Sequence, residues 1–238
     1  MSKSKIEWTE TTWNPVTGCS KISEGCKNCY AERMSARLKA MHSKNYQNGF
    51  EVTCHPHALD TPLSWKTPRM VFVNSMSDIF HDSVPDSFVK EIFNTMKLST
   101  HHTYQLLTKR PERLAEIDKI IKWQDHIWMG VTVESGQYKD RIDYLRACKA
   151  KKKFLSIEPL IDQVGVVDLN GIDWVIVGGE SGPGSRIMKE EWIVEVRDQC
   201  IESKTPFFFK QWGGVNKKKT GRLLKGRLWD EYPAGMKV

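Results

Sequence analysis

The sequence of residues 103–133, TYQLLTKRPERLAEIDKIIKWQDHIWMGVTV, contains the pattern that decides the fold. It begins with the apolar run 103–107 and ends with the nearly continuous apolar run 127–133, and both are typical of strands buried on two faces. Between them, residues 111–121 carry the apolar side chains Leu114, Ile117 and Ile121 at helical spacing. This stretch therefore predicts two parallel strands joined by a helix.

The same alternation continues on both sides of that stretch. Further strands are predicted near 13–17 and at 70–74, 153–157, 174–178 and 206–209, and further helices at 85–98, 138–148 and 190–201. A complete (β/α) barrel takes about 250 residues. Six or seven units in 238 residues therefore favour an α/β fold that is a partial (β/α) barrel of about six parallel strands. A doubly wound open sheet remains the structural alternative.

Length and composition indicate a single globular domain over residues 1–238, with a basic C-terminal segment at 213–238. The chain has 39% hydrophobic and 27% charged residues and a mean hydropathy of −0.49, which excludes the disordered class. It contains no apolar stretch long enough to span a membrane, and residues 1–10 lack the apolar core of a signal peptide. We therefore expect a cytoplasmic protein without a membrane partner.

The net charge of +7 favours an anionic partner such as a nucleic acid or a nucleotide. Residues 217–227, here called the basic tract, contribute +6 of that charge, so the rest of the chain carries only +1. Clustered cations displace counterions from phosphates. The six candidates for nucleic-acid binding are Lys217, Lys218, Lys219, Arg222, Lys225 and Arg227. The alternative is a solvated hairpin without a nucleic-acid partner.

Three of the six cysteines form the motif C-x6-C-x2-C, at Cys19, Cys26 and Cys29, directly before a predicted helix. In a reducing compartment, clustered cysteines more often bind metal than form disulfides. Zinc would require a fourth ligand, whereas an iron–sulfur cubane can leave one iron open. The residues favour the iron–sulfur cluster and leave zinc as the alternative. Cys148 and Cys200 occupy apolar helical positions and are predicted to be buried.

Polar residues directly follow most of the predicted strands. In parallel α/β folds the carboxyl ends of the strands meet at one ligand site, so these residues are expected to converge on one mouth. The alternative is that they only mark the exit of each strand into solvent. The exits include Asn74 with Ser75 and Asp78, Lys109 with Arg110, Glu134, Glu158, Gly178 with Gly179 and Glu180, and Lys210.

These motifs together resemble a phage-associated three-cysteine family that has no assigned reaction and is related to radical S-adenosylmethionine (SAM) enzymes. The resemblance covers almost the whole chain. It is carried by IEWT at 6–9, TWNPVTGC at 12–19, GCKNCYAER at 25–33, LTKRP at 107–111, GVTVE at 130–134, SIEPL at 156–160, VGGESG at 177–182, FKQWG at 209–213 and GRLWDE at 226–231.

The resemblance implies that Cys19, Cys26 and Cys29 ligate a 4Fe-4S cluster whose fourth iron binds the amino and carboxylate groups of SAM. One electron from the cluster would cleave SAM, and the resulting 5′-deoxyadenosyl radical would take a hydrogen from the substrate. It also implies a flavodoxin- or ferredoxin-type electron donor. It leaves open whether the target is a nucleic acid or a nucleotide and whether a partner protein presents that target. The alternative function is a zinc-stabilised nucleic-acid-binding protein without catalysis.

With SAM as the ligand, the strand exits acquire candidate roles. We expect Glu180 and Lys210 to be catalytic and the following residues to bind the cofactor: Tyr30, Asn74, Ser75, Lys109, Glu134, Glu158, Gly178 and Gly179. The chain departs from the usual radical SAM pattern in two ways. Six residues rather than three separate its first two motif cysteines, and Gly178-Gly179-Glu180 follows a late strand rather than the second one.

Overall fold

A parallel sheet forms the centre of the molecule. The computed structural model describes residue 4 and residues 6–234, without the side chains of Lys217 and Lys218. Its strands are β1 (Thr11–Trp13), β2 (Val16–Thr17), β3 (Thr53–Cys54), β4 (Met70–Val73), β5 (Thr103–Thr108), β6 (Ile127–Thr132), β7 (Lys152–Ile157), β8 (Trp174–Gly178) and β9 (Phe207–Gln211). Seven of them form one sheet in the order β1-β4-β5-β6-β7-β8-β9.

Every neighbouring pair in that sheet is parallel. The strand order rises without a reversal, which excludes the doubly wound alternative and confirms the predicted α/β class. The number of strands is seven rather than about six. The prediction of one strand at 13–17 was wrong, because β1 ends at Trp13 and Pro15 has no backbone N–H for a ladder. The separate β2 pairs antiparallel with β3 instead.

Five helices lie between strands of the sheet in the chain, and buried residues of α2 to α5 belong to the hydrophobic core. The five are α1 (Tyr30–Ala40), α2 (Asp86–Leu98), α3 (Pro111–Ile117), α4 (Asp140–Ala147) and α5 (Glu190–Ser203), and the short α6 (Lys217–Thr220) follows β9. β7 and β8 are joined without an α-helix. Pro111 is the first residue of α3, as predicted, and the helix ends four residues before the predicted Ile121. Cys148 and Cys200 are buried in the core, as predicted.

The ring contacts of Trp8 show that the sheet curls. The Trp8 ring centroid lies 4.8 Å from that of Phe72 on β4 and 6.3 Å from that of Trp174 on β8. These two strands are four positions apart in the sheet, which is about 19 Å in a flat sheet at about 4.8 Å per strand. One indole reaches both rings only because the sheet closes part of a barrel around it. The predicted partial barrel is therefore confirmed.

An aromatic layer fills the interior of this half-barrel. It consists of Trp8, Phe72, Trp128, Phe154, Trp174 and Phe208, together with Ile176. Gly130 on β6 makes room for it, because a Cβ there would lie 2.5 Å from the ring of Phe154. In the part of the chain that the structure describes, no helix is both long and apolar enough to cross a membrane.

Candidate cofactor-binding site

One cavity of about 510 Å³ lies at the carboxyl ends of the strands. It is lined by all three cysteines of the motif. The structure also brings to its wall most of the predicted site residues, namely Tyr30, Asn74, Ser75, Lys109, Glu158, Gly179, Glu180 and Lys210. Glu134 and Gly178 are not among its lining residues. Most of the residues predicted at the ends of the strands therefore lie in the wall of this one cavity.

The cysteine loop, residues 18–29, connects β2 with α1 and forms one side of the cavity. Gly18 begins it with a φ of +80°, and a Cβ there would lie 2.2 Å from the carbonyl oxygen of Glu51. Only glycine fits such a position. Cys26 ends a single 3₁₀ turn, Glu24–Cys26, and Cys29 immediately precedes the first residue of α1. All three cysteines are free and partly exposed.

A buried ion pair supports the start of this loop. The carboxylate of Asp78 accepts hydrogen bonds from Thr108 Oγ1 at 2.9 Å, from the Lys109 N–H at 3.1 Å and from Arg110 Nη1 at 3.2 Å. Arg110 in turn donates to Cys19 Sγ at 3.5 Å and to the Ser20 carbonyl oxygen at 3.1 Å. The guanidinium thus links the end of β5 to the first cysteine of the motif.

The first two cysteines lie in different electrostatic surroundings. Burial and the nearby Asp78 carboxylate raise the pKa of the Cys19 thiol to about 11, against the opposing effect of Arg110. Burial also acts to raise the pKa of Cys26, but Lys109 and hydrogen bonds within the loop outweigh it, so that pKa is lowered. Binding a soft metal centre requires both thiols as thiolates. A metal centre would therefore have to supply the charge that stabilises Cys19 as a thiolate.

Glu134 lies behind the cysteine loop rather than in the cavity wall. Its side chain is 0% exposed, and its carboxylate accepts from Ser23 Oγ at 2.5 Å and from Arg141 Nη1 at 2.8 Å. Lys109 Nζ lies 3.8 Å from the same carboxylate. A Cβ on Gly25 would lie 2.5 Å from Glu134 Cγ, so the loop packs directly on this side chain.

Glu180 connects the glycine-rich segment after β8 to the cysteine loop. Its carboxylate accepts from Arg186 Nη2 at 2.6 Å and from Asn28 Nδ2 at 3.0 Å. Partial burial acts to raise the pKa of Glu180, but the hydrogen bonds from Arg186 and Asn28 dominate and lower it. Arg33 on α1 adds hydrogen bonds to the carbonyl oxygens of Ser181 at 2.9 Å and Pro183 at 3.0 Å. These contacts join residues 179–186 to the opposite side of the barrel.

Glu158 and Lys210 form an ion pair inside the cavity, with 2.5 Å between Oε1 and Nζ. Their side chains are 18% and 12% exposed. Gly178 lies between them on β8, where a Cβ would be 3.4 Å from Glu158 Cδ and from Lys210 Cβ. At Gly179 the backbone directly after β9 leaves no room for a side chain, because a Cβ there would lie 2.1 Å from the carbonyl oxygen of Trp212. Both glycines thus serve the packing of neighbouring strands.

Four buried side chains in the cavity wall have a polar atom without a protein partner. They are Trp8 Nε1, Asn74 Nδ2, Thr132 Oγ1 and Gln211 Oε1. Each of these residues is at most 5% exposed. An unpaired buried polar group costs about 1–3 kcal/mol, so such groups are expected to have a ligand or water partner. Apolar lining residues, including Phe50, Phe72 and Leu107, complete a wall suited to an organic ligand.

The chemistry of the donor set fits an iron–sulfur cluster. Thiolates are soft ligands that suit zinc and iron–sulfur centres. No histidine is among the residues that line the cavity, and its carboxylates that could ligate zinc are already paired: Asp78 with Arg110, Glu158 with Lys210 and Glu180 with Arg186. Within residues 4 and 6–234, no three His, Cys, Asp or Glu side chains are already grouped closely enough to bind a metal ion. The three thiols share one cavity, and the loop would have to bring them together around the cluster.

Three of the six cations of the basic tract have acidic or aromatic neighbours. Arg222 pairs with Asp230 and lies 4.8 Å from the Phe208 ring centroid, and Lys225 pairs with Glu190. Arg227 lies 3.9 Å from the Trp229 ring centroid and 3.5 Å from the Glu231 carboxylate. Lys219 is exposed, and the side chains of Lys217 and Lys218 lie outside the described residues. Arg222, Lys225 and Arg227 therefore already have protein partners, which a nucleic acid would have to displace or share.

Sequence reasoning missed several residues that support the site. They are Trp8, Ser23, Asn28, Arg141 and Arg186. Asp78 and Arg110 were predicted among the strand exits, but the strand-exit rule gave no sign of their ion pair or of its contact with Cys19. Arg141 and Arg186 belong to a helix and a loop, and nothing in their spacing indicates their carboxylate partners.

Comparison with known proteins gives three results. No curated protein matches the sequence. Among solved structures, the chain is similar to a spore photoproduct lyase variant determined with bound AdoMet and a dinucleoside spore photoproduct, with a TM-score of 0.44 and 10% identity. The alignment covers 83% of this chain and 62% of that one, so the present chain spans about three fifths of that protein's length. A family model described as a protein of unknown function (DUF5131) matches residues 3–233. The chain therefore belongs to the DUF5131 family.

Proposed function

We propose that this protein is an iron–sulfur enzyme of the radical SAM type. The observation that carries the proposal is that Cys19, Cys26 and Cys29 line one cavity together with Glu158, Lys210 and apolar side chains such as Phe72. Three soft ligands beside a mixed polar and apolar wall suit a metal cluster next to an organic cofactor.

In this proposal, Cys19, Cys26 and Cys29 ligate a 4Fe-4S cluster. When bound, the cluster supplies one electron that cleaves SAM and starts radical chemistry on the substrate. Arg110 donates to the Cys19 sulfur and orients it, while Asp78 fixes the position of that guanidinium. The protein thus positions the three cysteine ligands and keeps a protein-lined cavity beside the cluster.

The remaining cavity residues are proposed to bind SAM. Glu158 and Lys210 offer opposite charges 2.5 Å apart, which suits a zwitterionic ligand such as the methionyl group. Lys109 adds a cation on the side of Cys26, and Asn74, Ser75 and Tyr30 add polar groups. Trp8 and Phe72 form an apolar floor that excludes water from a reactive intermediate.

The decisive experiment is anaerobic reconstitution followed by reduction in the presence of SAM. We expect a brown protein with about four irons per chain, and we expect dithionite to convert SAM into 5′-deoxyadenosine and methionine. Lys210→Met is expected to retain the iron and to weaken SAM binding, since Glu158 then loses its counter-charge. A colourless protein that takes up zinc alone would contradict the proposal and favour a zinc-stabilised binding protein.

The substrate class is proposed to be a nucleic acid or a nucleotide, with the basic tract as the contact surface. Support comes from the net charge of +7, of which the tract contributes +6. Binding through these cations requires log affinity to fall linearly with log salt, with a slope of about −0.7 to −0.9 per neutralised phosphate. Replacing Lys217, Lys218 and Lys219 together with alanine should reduce that slope measurably. An unchanged slope would remove the tract from the proposal and leave its cations as solvated or paired groups.

Further proposals concern partners. A flavodoxin- or ferredoxin-type protein is proposed as the electron donor, and a partner protein that presents the target stays a second proposal. Both partner proposals depend on the cluster, so they are to be tested with the reconstituted protein.

A further inference from the structure

We infer that Glu134 is a positioning residue that directs the hydroxyl hydrogen of Ser23 away from the sulfur of Cys26 and thereby keeps the reduction potential of the proposed cluster low. The inference rests on the proposed function, because it concerns a cluster bound by Cys26. It assigns to Glu134 a role other than SAM binding, which its position behind the cysteine loop favours.

The hydrogen-bond geometry around Ser23 supports this role. Ser23 Oγ lies 2.5 Å from Glu134 Oε1 and 3.5 Å from Cys26 Sγ. An ionised carboxylate accepts hydrogen bonds but has none to donate. A sulfur bound to iron likewise has no hydrogen of its own. The single hydroxyl hydrogen of Ser23 therefore has two competing acceptors, and the shorter distance assigns it to Glu134.

The carboxylate itself is fixed by its neighbours. Arg141 Nη1 donates to Glu134 Oε2 at 2.8 Å and to the carbonyl oxygen of Thr132 at 2.8 Å. The guanidinium carbon also lies 4.3 Å from the ring centroid of Tyr138, whose hydroxyl accepts from the Glu24 N–H at 3.1 Å. The charged groups near this carboxylate include Arg141, Lys109 at 3.8 Å and Arg186, which interacts with it at longer range. Contacts from β6 and α4 thus fix the position of the Glu134 carboxylate relative to the turn at residues 23–26.

Hydrogen bonds to cluster sulfurs are among the factors that set the reduction potential of an iron–sulfur centre. Each such bond stabilises the more negative, reduced cluster and therefore raises the potential. Glu134 accepts the hydroxyl hydrogen of Ser23, so that this hydrogen is not donated to the Cys26 sulfur, and it adds a negative charge near the cluster. Both effects lower the reduction potential of the cluster. A low potential is what a cluster needs in order to pass an electron to a sulfonium compound.

Midpoint potentials of three variants test this inference. Glu134→Gln keeps the size of the side chain but presents an amide donor to Ser23, whose hydrogen then turns to Cys26. At the midpoint potential of the unmodified protein, we expect at least a tenfold rise in the ratio of reduced to oxidised cluster, which is a positive shift of 59 mV for one electron. Ser23→Ala alone should leave the midpoint unchanged. Combining it with Glu134→Gln should give a smaller shift than Glu134→Gln alone, because only the charge effect remains.

Three outcomes would overturn the inference. They are an unchanged midpoint in Glu134→Gln, a lowered midpoint in Ser23→Ala, and a double variant whose shift equals that of Glu134→Gln. The second would show that the hydroxyl already donates to the sulfur.

Hydrogen exchange of the full-length chain without a cluster provides an independent measurement. The amides of Cys26 and Lys27 donate within the turn at 3.0 and 3.1 Å, and both should exchange faster in Glu134→Ala, which removes the side chain on which the loop packs. Unchanged exchange in Glu134→Ala would contradict the positioning role whether or not that variant binds iron. Conversely, failure of the unmodified protein to assemble any cluster would contradict the proposed function, while the exchange result would still decide whether Glu134 positions the loop.

Discussion

Replacing any one of Cys19, Cys26 or Cys29 with alanine is expected to abolish assembly of the 4Fe-4S cluster and, with it, reductive cleavage of SAM. Three protein ligands are the minimum for a cubane that leaves one iron open, and nothing else in the cavity wall offers a thiolate. The measurement is iron and acid-labile sulfide content after anaerobic reconstitution, together with the absorbance of the brown protein. We expect loss of nearly all the cluster in each variant.

The matched control is Cys54→Ala. Cys54 lies on β3, is partly exposed like the motif cysteines and does not line the cavity. Burial raises the pKa of its thiol, so it is a poorer thiolate ligand than Cys26. We expect this variant to bind iron and sulfide as the unmodified protein does. Equal iron loss in Cys54→Ala and Cys26→Ala would show that the metal binds unspecifically to thiols.

The fold was predictable from sequence because the spacing of apolar residues and the length of each apolar run indicate the individual strands and helices. Apolar runs of four to seven residues, most of them separated by helical segments, recur from residue 70 to residue 211, and each run lies on one of β4 to β9 within about two residues. The first strand was not predictable in the same way. β1 has three residues, TTW, and its place in the sheet depends on pairing with Val71, Phe72 and Val73 about sixty residues away. Periodicity carries no information on such pairing.

The location of the site was also predictable, whereas the role of each side chain was not. Three glutamates follow β6, β7 and β8, and the strand-exit rule treats them alike. In the structure, Glu134 contacts the cysteine loop, Glu158 faces Lys210 in the cavity, and Glu180 joins Asn28 to Arg186. These differences arise from partners that are between 6 and 152 positions away in the chain. A rule that uses only the preceding strand cannot distinguish them.

Asp78→Ala is expected to destabilise the fold by about 3–5 kcal/mol, the cost of leaving a buried charge without its partner. The side chains of Asp78 and Arg110 are 8% and 7% exposed. Among the described residues, the guanidinium of Arg110 forms an ion pair with no other carboxylate. Asp78 also accepts from Thr108 Oγ1 and from the N–H groups of Lys109 and Phe80, all of which would lose that acceptor. The measurement is the free energy of unfolding in urea, from the transition midpoint and slope.

A double-mutant cycle separates the ion pair from the other contacts of Asp78. Asp78→Ala combined with Arg110→Met should be less destabilising than the sum of the two single variants, because the double variant has no unpaired buried charge. The matched control is Glu116→Ala, which breaks the exposed pair with Arg113, whose glutamate side chain is 63% exposed. That variant should cost less than about 1 kcal/mol. Strict additivity in the Asp78 and Arg110 cycle would show that the two groups act independently, and the support of Cys19 by this ion pair would then have to be abandoned.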